Sequence, residues 1–440
     1  MNNFDSIVLG KGPLGIFTSY KLVKSGKKVL NIDSGQGLKL LQDKIRLKSN
    51  INWLDLSQKP SLNKKASDYM WLGASMGWNE KYFKKSQFNF QSLPLDIIDI
   101  KSSYDEVAEI LYLTNFDFVK NVPNNFKTPF NVEEFEYIFA KVTNNLYLKN
   151  LKSFLNDNDK YQFEDNLIAE KISTLNNDVI VELKSYPNLT QKKVQSNNLY
   201  ICLGSVENTR ILLNSENSLN LNSKLLGASL SDHISFPFAK IKVKNIDDIR
   251  KLFESRKDSE TSKLWPRISF INSEIQSFCY IDKFYARKSN QKYFQSLLKY
   301  KGSAHLNLFI EKQINDKTYM ELDNNKMLLV NFIVTKKEFE NMTQIASKYI
   351  EFFRNSLQQE IKVKKLNLDY DKFNKLKTTN HPSGTTKMAN NELEGVVDKY
   401  SRLWNHKNIF VYGSSVFPSS SNIHPTFMSM SLANYSLDNT

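Results

Sequence analysis

The sequence predicts a mixed α/β (α+β) protein with two folding units: a doubly wound sheet assembled from discontinuous segments, and a second unit whose antiparallel sheet is flanked by helices. Three observations predict it. The chain opens with strand, glycine-rich turn, helix and strand. An apolar strand followed by glycine and a helix recurs near residue 200, and between residues 234 and 332 strand-like runs follow one another without long helices between them. Strands alternating with helices build parallel sheets, and strands in succession build antiparallel ones.

The opening unit runs from the apolar Ser6 to Leu9, through Gly10-Lys11-Gly12-Pro13-Leu14-Gly15, into a helical stretch from Ile16 to Ser25 and a second strand from Lys28 to Ile32 that ends at Asp33. This is the order a dinucleotide site requires. Gly10 permits the tight turn, Gly12 leaves room for a pyrophosphate against backbone N–H groups, and Gly15 lets the helix approach the sheet. The helix N-terminus favours the phosphate charge, and Asp33 stands where a carboxylate can accept hydrogen bonds from a ribose diol. At this point the residues do not separate FAD from NAD.

A second glycine turn lies in Trp71-Leu72-Gly73-Ala74-Ser75-Met76-Gly77-Trp78-Asn79, where small residues between tryptophans would let backbone approach a flat ring or simply line a tight core turn. Asp105 to Leu113 reads as a helix. Asn115 to Tyr161 is uneven in pattern, as a lid or connector would be. Ile168 to Ile172 and Val179 to Leu183 read as a hairpin through Asn176-Asn177-Asp178. Asn198 to Ser205 reads as a buried strand ending in glycine, and Val206 to Leu213 as the helix after it. Strand candidates then follow at Ile234 to Val243, Arg267 to Ile271, Gln276 to Ile281, Ala304 to Ile310, Tyr319 to Leu322 and Met327 to Phe332. Lys336 to Gln359 is amphipathic on a helical repeat.

Composition narrows the function classes. The formal net charge of +14 comes from dispersed lysines, often beside asparagine, with no basic block interleaved with aromatics, so nucleic acid is not an expected partner, although anionic substrates would be favoured. Cys202 and Cys279 sit in apolar runs without metal-ligand or redox-motif spacing and read as buried thiols; no metal site is expected. No apolar run approaches the roughly 18 residues of a membrane span, and the first strand starts within a few residues of Met1, so a cytoplasmic location is expected.

Two of the five histidines draw a chemical reading: His381 in HPSGTTKM and His424 in SSSNIHPTFMSMSLA, in turns flanking a buried-looking strand. Either alone reads as a loop histidine. Together they offer imidazole, the side chain best suited to moving a proton near neutral pH. His233, His305 and His406 read as structural.

In order along the chain, GKGPLG, WLGASMGW, LYICLGSVENTRILL and the stretch HPSGTTKM…GVVDKYSRLWNHKNIFVYGSSVFP…SSSNIHPTFMSMSLA resemble the signature segments of the glucose-methanol-choline (GMC) flavin oxidoreductases, and LGASLSDHISFP resembles the family's transition into its substrate domain. The resemblance spans residues 7 to 435, with the middle from about 235 to 370 similar only in pattern. It implies a Rossmann-like FAD-binding domain from 1–110, 160–234 and 371–440, a lid or connector at 111–159 and a substrate domain at 235–370. It also implies that Gly10, Gly12, Gly15 and Asp33 hold the ADP half of FAD, and that Gly73, Ala74, Ser75 and Asn79 pass the pyrophosphate and flavin ring. Gly204, Ser205, Asn208, Gly413 and Ser414 would flank the cofactor, with Pro425 and Thr426 starting a helix aimed at the flavin pyrimidine.

By the same resemblance His381 is the active-site histidine, and His424 fills a place that members give to His or Asn. Oxidation of a CH–OH group by hydride transfer to flavin N5 needs the hydroxyl proton removed, so one imidazole serves as base and the other holds the oxygen; His381 is assigned as base, with the reverse left open. Gly77 stands where some members attach FAD through histidine, so a non-covalent cofactor is expected. Lys387-Met388-Ala389 and Gly413 depart from the Arg-Met-Gly and Asp that many members carry. The chain is short for the family, which implies a trimmed lid and an open site suited to a large or carrier-linked alcohol or sugar, with an electron acceptor that the residues do not name. Two other readings stay open: a flavin-binding but catalytically altered or partner-dependent component of a glycan or cell-surface pathway, and an NAD-linked dehydrogenase using only the opening unit.

Overall fold

A computed structural model describes residues 4–37, 45–49, 93–113, 135–143, 146–221, 224–243, 250, 253, 256–257, 262–270, 275–286, 302–356, 362–370, 377–421 and 423–440. Strand Phe4–Leu9 lies inside a seven-stranded sheet. Val29–Ile32 and then Tyr161–Glu164 run parallel to it on one side, and Gln191–Ile201 runs parallel on the other. The hairpin of Leu167–Leu175 and Asp178–Ser185 extends that second side, turning through Asn176 and Asn177 at φ of 51° and 70°, the left-handed pair a two-residue hairpin loop favours. Strand Gln191–Ile201 changes partners along its length: its first half pairs with the hairpin, and Leu199 to Ile201 pair in parallel with Ile409–Val411. Ile7, Val8, Leu9, Leu199, Ile201, Ile409 and Val411 are all buried, as strands covered on both faces must be.

Helix Pro13–Lys24 follows the first strand, with Pro13 at a position where its missing N–H costs nothing. Helix Pro425–Asn439, last in the chain, packs against it and against helix Ile97–Ile110. Tyr104 meets Phe427 edge to face at 4.3 Å between ring centroids, an arrangement worth about 0.5–1.5 kcal/mol beyond area burial. Glu106 closes the triangle: it accepts from Lys21 at 2.9 Å and from Asn434 at 2.8 Å. The two ends of the chain are thereby pinned to one another.

The second sheet has eight strands, all antiparallel. Arg256–Lys257, Ser262–Phe270, Ser277–Ala286, Gly302–Glu311, His233–Val243 and Lys362–Lys365 follow in that order, with Phe135–Thr143 beside Ser262–Phe270 and Lys377–Thr378 beside His233–Val243. Helix Lys336–Ser356 packs on it through Tyr349 and Phe352, which meet Phe135 at 5.0 and 4.6 Å between centroids. The expected α/β architecture with an antiparallel second sheet is therefore present.

Two placements differ from the sequence reading. Phe135–Thr143, in the stretch read as lid or connector, is a strand in register with Ser262–Phe270 over its whole length; its strand character comes from a partner more than a hundred residues away, which a local pattern does not carry. Tyr319–Leu322 and Leu328–Phe332, expected in the large antiparallel sheet, form a separate three-stranded sheet in which Leu328–Phe332 runs antiparallel to Tyr319–Leu322 and parallel to Ile45–Ser49. Among the described residues no helix is long and apolar enough to cross a membrane. Cys202 and Cys279 are free and buried, and burial pushes the Cys202 thiol up to about 12.

Asn208 is fully buried beneath the junction of the parallel strands. Its amide donates to the Tyr412 carbonyl and the Ser415 hydroxyl, both at 3.1 Å, and accepts from the Leu203 N–H at 2.9 Å. Asn208→Ala leaves those three groups without that partner and is expected to lower the unfolding free energy by about 2–4 kcal/mol, measured by urea denaturation. A loss below about 1 kcal/mol would show that the junction does not depend on it.

Candidate active site

Leu9 is level with Ile32 and with Ile201, and Ile201 is level with Val411, so the carboxyl ends of four parallel strands finish together. The turns after them therefore emerge along one edge, where α/β sheets bind their ligands. Gly10 has φ of 101°, and a Cβ there would lie 2.5 Å from the Cys202 carbonyl oxygen; a Cβ at Gly15 would lie 2.0 Å from the Gly10 oxygen. Those two glycines are required by backbone packing. Gly12 and Gly204 differ, since a Cβ at either would meet nothing within 4 Å. Open space beside the N-terminus of helix Pro13–Lys24, which no side chain caps, fits the pyrophosphate of a dinucleotide. Asp33 holds the turn from beneath, accepting from the N–H of Lys11 at 2.7 Å and of Gly35 at 2.9 Å, with lone pairs remaining for a ribose. Gly73, Ala74, Ser75 and Asn79 lie outside the described residues.

The same edge carries the imidazoles. The hydroxyls of Ser205, just after Gly204, and Ser414, just after Gly413, both donate to the carbonyl of Pro382, at 2.5 and 2.7 Å. The turn bearing His381 is thus tied to the strand ends themselves. Its other side is zipped to the start of the second sheet: Ser231 and Ser383 exchange backbone bonds at 3.0 and 2.9 Å, and the Thr379 N–H donates to the His233 carbonyl at 3.0 Å. Buried Asp232 organises the junction, its Oδ1 accepting from the N–H groups of His233 at 2.6 Å and His381 at 3.0 Å. His424 directly precedes helix Pro425–Asn439, which Pro425 and Thr426 begin.

The rings of His381 and His424 stand 5.1 Å apart between centroids, nearly perpendicular. A third imidazole stands behind them. His233 Nε2 lies 3.0 Å from the Ser420 carbonyl and 2.9 Å from that of Ser421, so it must carry the proton and donate. Burial, with the neighbouring His381 second, holds its pKa well below the ordinary value, so the ring is neutral and its Nδ1 keeps a lone pair. That Nδ1 is 3.3 Å from His381 Nδ1. Two lone pairs would repel at this distance, so His381 carries its proton on Nδ1 and donates it backward, with the Thr379 hydroxyl also in reach at 3.0 Å. His381 Nε2 is left as the proton-accepting nitrogen.

The pocket in front of these rings has a volume of about 160 Å³. Trp265, Phe278, Tyr280 and Phe309 supply aromatic walls, and Pro266, Arg267, Thr379, His381 and His424 complete the lining. Trp265 stacks with His424, with centroids 6.5 Å apart, and Phe309 lies 5.8 Å from His424 and 6.2 Å from His381. Both imidazoles are partly open to the pocket and otherwise enclosed by protein. That enclosure lowers His381 to about 4 and His424 well below its ordinary value, with the neighbouring His381, Arg267 and His233 disfavouring a further positive charge at His424. At neutral pH all three rings are uncharged. His424 Nδ1 is buried with no hydrogen-bond partner among the described residues, which leaves a polar atom for a bound group to satisfy.

Residues 318–433, which include both pocket histidines, Gly413 and the start of the final helix, match the family model described as GMC oxidoreductase. Over that stretch, about a quarter of the chain, the protein is similar to the GMC oxidoreductases. No curated protein matches its sequence significantly. Among solved structures, the chain is similar to the crystal structure of pyridoxine 4-oxidase from Mesorbium loti, at 14% identity over 99% of both chains with a TM-score of 0.56. At that identity the likeness speaks for a shared fold alone, over nearly the whole length of both chains.

The structure brings His381, His424, Ser205 and Ser414 together, sets the glycine turns along the adjoining edge, and places Asn208 beneath them as a buried brace. Sequence reasoning left His233 as structural and passed over Arg267 and Trp265. A histidine beside Asp232 is unremarkable in one dimension, and its ring meets one 148 positions away. His406 is anchored to the Leu219 carbonyl at 2.8 Å.

Two predictions follow from this geometry. Long-range ¹H–¹⁵N correlation of the imidazoles is expected to show His381 protonated on Nδ1 and His233 on Nε2, with the His381 preference lost in His233→Phe; an Nε2–H signal for His381 in wild type would break the chain of donors. For stability, His424 has a depressed folded pKa, so the unfolded state binds its proton first and stability falls as pH drops below about 6.5. The stability of wild type relative to His424→Asn is therefore expected to decline from pH 6.5 downward, by up to about 1.4 kcal/mol per pH unit. A pH-independent difference between the two unfolding curves would contradict it.

Proposed function

We propose that the protein is an FAD-dependent oxidoreductase that converts a CH–OH group of an alcohol or sugar to a carbonyl, with His381 as the base. The observation that supports this most strongly is the placement of His381 Nδ1, 3.3 Å from His233 Nδ1 and 3.0 Å from the Thr379 hydroxyl. Its Nδ1 proton is committed to His233 and Thr379, so Nε2 accepts, in a pocket shared with a second neutral imidazole. The family match over residues 318–433 points to the same class of reaction.

FAD, bound non-covalently, would be held by Gly10, Gly12, Gly15 and Asp33 at its ADP half and approached by Gly204, Gly413 and the N-terminus bearing Pro425 and Thr426. When bound, FAD supplies acceptance of a hydride from the carbinol carbon. The remaining chemistry belongs to the protein. His381 Nε2 takes the hydroxyl proton, so that the carbonyl is not formed in a high-energy protonated state. His424 holds the same oxygen and fixes which face of the carbon is presented, a positioning effect. The Ser205 and Ser414 bonds to Pro382 O and the Asp232 bond to the His381 N–H keep the base in place. Aromatic walls exclude water from the reacting oxygen.

A low imidazole pKa has a cost and a return. Proton transfer to a weak base has less driving force, yet the base is in its accepting form at any pH above about 4. The pocket admits one ring-sized unit, so a carrier-linked substrate would present only its terminal group there.

Purified protein is expected to be yellow and to bleach anaerobically with some alcohol or sugar. His381→Ala is expected to retain the colour and slow bleaching at least about a hundredfold, measured by stopped-flow absorbance. Colour retained with an unchanged bleaching rate would remove His381 from the base role. Absence of flavin with bound NAD instead would sink the reading as a whole.

A further inference from the structure

Resting on the oxidoreductase reading, we propose that the pocket is built for a ring-bearing alcohol that also carries an anionic group, and that Arg267 is the residue that reads the anion. Arg267 lines the cavity and is only 2% exposed. Its guanidinium carbon lies 4.4 Å from the centroid of the Phe278 ring, a cation held against an aromatic face. It sits on strand Ser262–Phe270, opposite Ile138 of the neighbouring strand, while the next residue, Ile268, is opposite Cys279 on the other side. A side chain on a strand fixed from both edges is a rigid reader.

The surroundings decide what it reads. Among the described residues that line the cavity, Arg267 is the only charged one, and none is acidic. Its field reaches the imidazoles, adding a smaller depression to the one burial imposes on His424 and His233. Desolvation lowers the guanidinium itself to about 9, so the cation is under strain from its enclosure at neutral pH. An entering carboxylate, phosphate or phenolate relieves that enclosure with charge-assisted hydrogen bonds in the forked geometry of a guanidinium. A neutral polyol cannot do so to the same degree. The aromatic walls and the volume of about 160 Å³, close to the ~150 Å³ of an engineered cavity that accepts benzene, set the remainder of the ligand as one planar ring. One ligand thereby neutralises the cation and offers its hydroxyl to His381 and His424. Cancelling the positive field also raises the basicity of the imidazoles when substrate is in place, which counters the weakness of the base in the empty pocket.

The test uses isosteric probes with the protein as purified. Benzoate and benzamide, nearly equal in shape, are titrated calorimetrically into wild type, Arg267→Met and Arg267→Lys. Wild type is expected to bind benzoate at least about tenfold more tightly than benzamide. Arg267→Met should lose that preference while binding benzamide as wild type does, and Arg267→Lys should keep part of it. Equal or undetectable binding of the two probes by wild type overturns the proposal even where a variant fails to fold, and so does a preference that survives in Arg267→Met. Anaerobic bleaching with 4-(hydroxymethyl)benzoate and 4-(hydroxymethyl)benzamide separates the two levels of inference. Faster bleaching with the carboxylate supports both. Benzoate preference without bleaching by either compound supports the anion site and counts against the reaction.

Discussion

The level ending of parallel strands is the constraint on which the site depends. Leu9, Ile32, Ile201 and Val411 stop at one height, so four separate stretches of chain deliver their turns to one line. Two of those turns then reach across, through Ser205 and Ser414, to the carbonyl next to His381. The edge of glycine turns and the imidazole pair are therefore not independent constructions. A slip of one residue in the pairing of Ile409–Val411 with Leu199–Ile201 would swap its side chains between the two covered faces of the sheet and move Ser414 away from Pro382 at the same time.

The electrostatics of the pocket follow from what the fold leaves out as much as from what it supplies. Three imidazoles and a guanidinium crowd a space whose walls are aromatic, and low polarity resolves the crowding by keeping the imidazoles neutral. Backbone carbonyls of Ser420 and Ser421 set the direction of the His233 proton, and His233 passes that direction to His381. The tautomers of His233 and His381 thus trace back to ordinary backbone groups on a loop just before the final helix, while burial keeps the rings neutral.

What the sequence revealed was what lies within one local unit. The βαβ opening, the Asn176-Asn177 hairpin and the strand and helix around Gly204 are each written in a single window of periodicity and turn chemistry, and each forms where it was read. His381 and His424 were legible through family resemblance and through their rarity, and their rings do meet. Pairings across the chain were not legible. Phe135–Thr143 is recognisable as a strand only beside Ser262–Phe270, and Ile45–Ser49 only beside Leu328–Phe332. His233 and Arg267 escaped for the same reason: an imidazole gains a tautomer, and an arginine a pocket, from neighbours that periodicity cannot name.

The clamp of Lys21 and Asn434 on Glu106 has a consequence for how the molecule comes into being. During synthesis the ribosome delivers the βαβ unit of residues 4–32 some four hundred residues before helix Pro425–Asn439. Until Ile409–Val411 and Pro425–Asn439 clear the exit tunnel, the growing polypeptide has neither the strand that completes its central sheet nor the helix that covers it. Maturation therefore waits on residues 409–439, and a product terminated before them would expose an apolar sheet face to chaperones and proteases.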